Sequence, residues 1–344
     1  MTIHSPLVAN TVVSTRSPAR GDLGRYVFRK NLRDTLYGET ALYHDTHLQK
    51  LVVLKRISLS LLHQHQQQQQ QQEEDDEEER DETAGTVRED PLNERAVMQL
   101  LDDPLLACAP GRTSIVAYER EGFFAVQDSV FVAMEFCTGG DLYDYVTAQP
   151  TRRLQETDAL ALVAQVASGL SFLHAMGVAH RDLSLENVLL ENGRAKLCDF
   201  GVSVTTAHDD CASQRVGKYY YRAPEVGHGA KRYDPKAADV WSLGVLLLIL
   251  LTGSPLFVDE QARAPTLRVL QKYGVGKLLE LWGVRQDVST STVKLLALML
   301  QVEPLRRVSA DDVAHHPLLQ PRACVTVGPT APCTGIKCSQ VGTI

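Results

Sequence analysis

His180-Arg181-Asp182-Leu183-Ser184-Leu185-Glu186-Asn187, followed at 199–201 by Asp199-Phe200-Gly201, is the stretch that decides the fold. It sets one carboxylate, one amide oxygen and a second carboxylate in a fixed order. Asp182 is suited to accept the proton of a hydroxyl. Asn187 and Asp199 carry the hard oxygens that magnesium prefers. A third signature, Tyr221-Arg222-Ala223-Pro224-Glu225, follows in the same order. A lone His-Arg-Asp triplet says little, but three ordered motifs at these spacings are specific.

Composition narrows the rest. The chain has 344 residues and a formal net charge of −7, with Glu73–Glu82 alone contributing −8. The remainder is therefore near neutrality, so the acidic balance does not describe the core. Seven cysteines, at 108, 137, 198, 211, 324, 333 and 338, form no CxxC pair and no metal spacing. They read as reduced thiols, with Cys333 and Cys338 on a tail. The N-terminus shows no apolar signal segment and does not fit myristoylation. The longest apolar run, Val240 to Leu251, is shorter than the ~20 residues of a membrane span and reads as a buried helix. A cytoplasmic or nuclear protein is expected.

The motifs resemble the catalytic and magnesium loops of the eukaryotic protein kinases, serine/threonine type. The resemblance covers about residues 25–320 and implies an α+β, two-lobed fold. A small β-rich lobe would span 25–136 and a larger helical lobe 137–320. Residues 1–24 and 321–344 read as flexible tails. Tyr26-Val27-Phe28, Ala41-Leu42-Tyr43 and Leu51-Val52-Val53-Leu54 fit the first three strands, Ile115 to Tyr118 and Val130 to Phe136 the fourth and fifth. A helix is expected from about Pro91, with Glu94, Ala96-Val97 and Leu100-Leu101 at helical spacing. Apolar positions 159, 162, 163, 166, 170 and 173 mark another helix, closed by Gly177. Residues 58–90, with seven glutamines at 66–72 and then the acidic run, are too polar to bury a core and read as a disordered insertion. A docking role for that insertion is the alternative.

Carried over position by position, the resemblance implies MgATP as the phosphate donor. Lys55 would bind the phosphates and pair with Glu94. Met134 would back the adenine pocket, Glu135 to Cys137 would form the hinge beside it, and Leu189 its floor. Asp182 would orient the acceptor hydroxyl, with positioning the larger effect. Asn187 and Asp199 would hold magnesium. His180, Phe200 and Met98 would pack as a spine. Arg181 would help order the activation segment, with Ser213, then Thr205 and Thr206, as phosphate acceptors, or Asp209 and Asp210 as a constitutive substitute. Glu225 would pair with Arg307. Asp239-Val240-Trp241-Ser242-Leu243-Gly244 would begin the central helix, apolar on every face and so buried.

Five positions depart from the family pattern. Its phosphate-covering glycines fall on Arg33, Thr35 and Gly38, and only Gly38 is glycine, which implies a stiff loop and weak nucleotide affinity. Val53 replaces an alanine, and its bulk would press on adenine. Ser184 stands where a lysine normally faces the transferring phosphate, while Lys218 stands where a threonine normally contacts the catalytic Asp. The pair reads as an exchange of charge and hydroxyl; a solvent-facing Lys218 is the alternative. The expected function is transfer of the γ-phosphate of MgATP to protein Ser or Thr hydroxyls. The rival is a pseudokinase or scaffold that signals by binding, and a third reading is a binding module working through residues 58–90. The expected partners are a protein substrate and a docking partner at the insertion. Neither nucleic acid nor a membrane is expected, and the sequence carries no signature of oligomeric state or substrate consensus.

Overall fold

The computed structural model describes residues 23–65, 67, 90–206, 216–227 and 232–320. The expectations for both tails, for Ser213, Asp209 and Asp210, and for Cys211, Cys324, Cys333 and Cys338 lie outside them.

Five strands form an antiparallel sheet: β1 (Tyr26–Thr35), β2 (Gly38–Asp45), β3 (Lys50–Ser58), β4 (Tyr118–Val126) and β5 (Ser129–Glu135), in the order β1-β2-β3-β5-β4. Their register follows the buried face: Leu42 opposes Val53, and Val53 opposes Met134. The second face carries its own cluster of Tyr26, Ala41, Tyr43, Val52, Leu54, Phe131 and Ala133. Both faces are thus covered near the centre, as the continuous apolar run of β3 requires.

The fourth strand differs from expectation. Ile115 and Val116 are buried, but they lie against the neighbouring lobe, with the Val116 N–H donating to the Leu197 carbonyl. The strand proper begins at Tyr118 and pairs with β5. Burial alone made that apolar run look like a strand. The expectation of disorder from residue 58 is also corrected at its start. Ser58 closes β3, and residues 59–65 form a short helix, α1. Leu62 of this helix packs with Tyr37 and Ile57, so one apolar side chain gives the polar segment a docking point. Residues 66 and 68–89 of the insertion lie outside the described residues.

Helix α2 (Pro91–Leu101) starts where the Asp90 side chain accepts from the Leu92 N–H at 2.8 Å, with Pro91 in the first turn. Both are strong start signals, the cap contributing about 1 kcal/mol. Its buried face carries Glu94, Val97, Met98 and Leu101.

The larger lobe is mainly helical: α3 (Leu142–Thr147), α4 (Glu156–Ala175), α5 (Pro224–Gly227), α6 (Pro235–Thr252), α7 (Glu260–Leu281), α8 (Thr290–Met299) and α9 (Ala310–Ala314). Two small ribbons lie at its upper surface: β6 (Val178–Ala179) with β9 (Val204–Thr205), and β7 (Val188–Glu191) with β8 (Arg194–Leu197). Gly177, expected to close the long helix, follows α4 with φ +73°, a conformation that glycine adopts without strain. Helices α4 and α6 have the length and apolarity of membrane spans. The α6 run is longer as a helix than the Val240–Leu251 stretch suggests, yet Trp241, Leu243, Val245 and Leu247 are fully enclosed by the lobe. A Cβ on Gly244 would meet Met299 and Leu300 at 2.9 Å, so α8 crosses α6 at glycine-limited distance.

Candidate active site

Lys55 projects from β3, on the register position opposite Val132. Its ammonium lies 3.2 Å from Glu94 Oε2 of α2 and 2.7 Å from Asp199 Oδ1. Glu94 is fully buried, and the Tyr118 hydroxyl donates to its other oxygen at 2.9 Å. A buried carboxylate is costly unless all its partners are in place. Here one cation and one hydroxyl satisfy both oxygens. Burial pushes the Tyr118 phenol well above its ordinary value, and the Glu94 charge adds to this. The hydroxyl therefore stays a donor. Burial alone would raise the Asp199 carboxyl, but the Lys55 ammonium outweighs it and holds Asp199 below the usual carboxylate range.

The catalytic loop is held from beneath. Asp239 of α6 accepts the Arg181 N–H at 2.7 Å and the His180 N–H at 2.8 Å, and His174 Nε2 lies 2.9 Å from it. Arg181 has φ +68° and Asp199 has φ +66°. Non-glycine residues in this region cost about 1–3 kcal/mol each. The clamp on Asp239 is what holds Arg181 there.

His180 joins the two loops. The Cys198 carbonyl can only accept and the Asp182 N–H can only donate. His180 Nε2, 3.1 Å from that carbonyl, is therefore the protonated nitrogen, and Nδ1 accepts from Asp182 at 3.3 Å. The His180 ring packs on Phe200 at 5.1 Å between centroids, and Tyr118 reaches the same phenyl ring at 6.3 Å. Met98 is buried in the same core.

Asn187 spends its amide N–H groups on Asp182, donating to the Asp182 carbonyl at 2.7 Å and to Oδ2 at 2.8 Å. Its Oδ1 remains as an acceptor, and the Cys198 N–H donates to the Asn187 carbonyl at 3.0 Å, which sets Asn187 against the chain leading to Asp199. Among the described residues no three His, Cys, Asp or Glu side chains cluster into a resident metal site. Two oxygens, from Asn187 and Asp199, are the partial set that suits magnesium when phosphate and water complete its shell. The donor set therefore fits a metal that arrives with a nucleotide.

Lys218 lies against Asp182. Its N–H donates to Asp182 Oδ1 at 2.9 Å, and its ammonium lies 2.8 Å from Ser184 Oγ and 3.4 Å from Asp182 Oδ2. The expectation of an exchange with Ser184 places the two side chains in direct contact. A simple solvent-facing Lys218 does not describe this geometry.

The adenine-side residues fall into place around β5. Val53 and Met134 are buried neighbours across the β3–β5 ladder. Leu189 of β7 is half-buried and bridges to Asp141. The Glu135 side chain faces the other way, 2.6 Å from Lys196 and accepting from the Ala117 N–H, so only its backbone is left for the hinge role. Burial pushes the Cys137 thiol up to about 12, which makes it an apolar lining group rather than a nucleophile.

The β1–β2 hairpin departs most from expectation. Strand pairing continues through Arg33↔Thr40, Asp34↔Glu39 and Thr35↔Gly38, leaving only Leu36-Tyr37 as the turn. A stiff loop was expected and a full ladder is the form it takes. Gly38 owes its glycine to packing: a Cβ there would run into the Arg56 carbonyl of β3. Arg33, at one of the glycine positions, pairs with Asp141 of the larger lobe at 2.6 Å.

Of the activation positions, Thr205 is exposed, whereas Thr206 is buried and its hydroxyl donates to the Gly177 carbonyl at 3.2 Å. Glu225 and Arg307 form the expected pair at 2.7 and 3.2 Å, and the Arg307 guanidinium stacks over Trp241 at 5.3 Å. Three contributors were not singled out from sequence: Tyr118 on Glu94, Asp141 on Arg33, and the carboxylate of Asp239 as the loop clamp.

Comparison with known proteins agrees with this geometry. The family model described as "Protein kinase domain" matches residues 36–319. Calcium-dependent protein kinase 21 of Arabidopsis thaliana is 35% identical over 237 residues, 68% of this chain and 41% of that protein. Maternal embryonic leucine zipper kinase of Xenopus tropicalis is 35% identical over 210 residues, 57% of this chain and 29% of that protein. A probable serine/threonine-protein kinase of Dictyostelium discoideum is 33% identical over 225 residues, 65% of this chain and 24% of that protein. The chain thus spans at most about two-fifths of the length of these relatives. With the family match covering most of the chain and the motif residues gathered in one cleft, the chain belongs to the protein kinase family.

Proposed function

We propose that this chain transfers the γ-phosphoryl group of MgATP to Ser or Thr hydroxyls of a protein substrate. One observation carries the reading: Lys55, Glu94 and Asp199 form a connected ionic chain, with Asp182 and Asn187 hydrogen-bonded beside it. A protein that had lost catalysis has no physical need to keep both of these polar contact sets. The serine/threonine names of the relatives support the acceptor class.

In this reading Asp182 positions the acceptor hydroxyl and takes its proton late, because a carboxylate is a weak base toward an alcohol. Asn187 fixes the Asp182 carboxylate and, with Asp199, offers oxygens to magnesium. Lys55 draws phosphate oxygens toward α2, and Glu94 with Tyr118 keeps its ammonium aimed. The magnesium–nucleotide pair supplies the phosphoryl group and the neutralising charge. Met134, Val53, Leu189 and the Glu135–Cys137 hinge hold the base by packing and backbone contacts. An intracellular setting, cytoplasmic or nuclear, is supported by the free Cys108, Cys137 and Cys198. The insertion after α1 is the proposed docking segment for a further partner.

The test is magnesium-dependent phosphate incorporation into a Ser/Thr peptide array by the parent and by Asp182→Asn. General-base and positioning roles of this kind contribute about 10²–10⁴-fold, so incorporation should fall by at least about a hundred-fold. Equal incorporation by both proteins contradicts the reading.

A further inference from the structure

The acidic groups of the cleft are matched by two lysines, and their surroundings differ. Lys55 is held between Glu94 and Asp199 and is almost fully buried. Lys218 is more open, with 37% of its side chain exposed. It precedes α5, whereas Ser184 belongs to the loop at 180–187.

Its placement is built. Gly217 has φ +86°, and a Cβ there would meet the Arg181 carbonyl at 2.5 Å. Only glycine lets the backbone come this close. The approach delivers the Lys218 N–H to Asp182 Oδ1. Ser184 is fully enclosed, so its hydroxyl contacts no substrate and serves to anchor the Lys218 ammonium. An ammonium has three donors. Ser184 and Asp182 engage two, which leaves one for an oxygen held next to Asp182. Glu186 Oε2, 3.9 Å away, adds negative charge that favours the cation at this point.

We propose that Lys218 is a catalytic residue: it faces the transferring phosphoryl group and neutralises its charge, in place of a cation at position 184. The proposal rests on the reading of this cleft as a phosphotransferase. In the transfer, the bond from the acceptor oxygen to the γ-phosphorus forms as the γ-phosphorus to β–γ bridging oxygen bond breaks. The hydroxyl proton passes to Asp182, and the bridging oxygen leaves with its electron pair on the nucleoside diphosphate. Lys218 exchanges no proton; it stabilises the charge on the phosphoryl oxygens between the two bonds. A consequence follows for control. Lys218 precedes α5 and lies outside the clamped loop at 180–187, so its placement sets turnover and leaves nucleotide binding alone.

The experiment compares the full chain with Lys218→Thr and with the double variant Ser184→Lys/Lys218→Thr. Two readouts are used: steady-state phosphorylation of the peptide acceptor, and binding of MgADP with and without aluminium fluoride, a mimic of the phosphoryl group in transfer. Removal of one preorganised charge of this type costs about 10²–10³-fold in kcat. Lys218→Thr should lose that much kcat with the KM for ATP and the MgADP affinity within about three-fold, as expected for an interaction made only in the transition state. It should also lose the affinity gained on adding aluminium fluoride, and the double variant should recover most of both. Thermal midpoints of all three proteins separate these effects from unfolding. A Lys218→Thr protein that keeps its kcat and its fluoride-dependent gain overturns the proposal, as does a well-folded double variant that recovers neither. A parent that transfers no phosphate but shows a Lys218-dependent fluoride gain supports the placement of Lys218 and overturns the kinase reading alone. A parent without that gain overturns the proposal.

Discussion

The catalytic loop and the β1–β2 hairpin face each other across one cleft and are built on opposite terms. The loop at 180–187 is irregular backbone held rigid from below by a buried carboxylate, with Arg181 kept at positive φ. The hairpin is strand backbone with two register shifts, paired as far as Thr35↔Gly38, and tied to the other lobe by an ion pair between the half-exposed Arg33 and Asp141. The first arrangement spends fold stability to aim side chains. The second gives up close backbone approach to a ligand, because Arg33 and Thr35 occupy positions where glycines would be needed. The contrast separates a clamped loop in the larger lobe from a paired hairpin in the smaller one.

The contrast breaks first at Asp239. Asp239→Asn replaces one acceptor oxygen with a donor that meets the His180 or Arg181 N–H. Removing one partner from a buried charged network typically costs about 3–5 kcal/mol. The expected result is a free energy of unfolding, from urea titration, lowered by that amount, together with loss of most phosphotransfer, because Arg181 no longer holds its backbone conformation. A variant with unchanged stability and turnover would show that the loop carries its own geometry.

A smaller effect sharpens the other side. Arg33→Gly removes the Asp141 pair and restores backbone freedom to the hairpin. Arg33 is half exposed, and surface pairs are worth about 0.2–1 kcal/mol. Nucleotide affinity measured by titration should therefore rise by only about two- to five-fold, and the parent should gain affinity with added salt while the variant does not. A loss of affinity in Arg33→Gly would mean that the guanidinium serves the ligand rather than competing for its place.

How much of this was legible in the sequence follows the same division. Asp182, Asn187 and Asp199 were readable because their chemistry resides in the side chains and their spacing is short. Lys55 with Glu94, and Glu225 with Arg307, were readable from their order along the chain. The exchange between positions 184 and 218 was readable because two departures from one pattern complemented each other in chemical type, but the direct Lys218–Ser184 contact was not. Tyr118 was hidden because it ended an apolar run, and only the true start of β4 shows its hydroxyl reaching Glu94. Arg33 with Asp141 was hidden because the pair is 108 residues apart and unrelated by any periodicity. Helix α1 was hidden by polar composition: its place depends on Leu62 docking against Tyr37, a long-range contact that local propensity does not report. Gly38 was read for glycine geometry, but its close approach to the Arg56 carbonyl was hidden because it depends on the pairing of β2 with β3.

The most direct test of the central claim, that these separated polar groups converge on a metal-bound triphosphate, is calorimetric titration of a non-hydrolysable ATP analogue with and without magnesium, for the parent and Asp199→Ala. The account predicts binding that is strengthened by magnesium in the parent, and an affinity in Asp199→Ala that is weaker and no longer responds to the metal. Identical affinities for the two proteins, with magnesium making no difference to either, would contradict it.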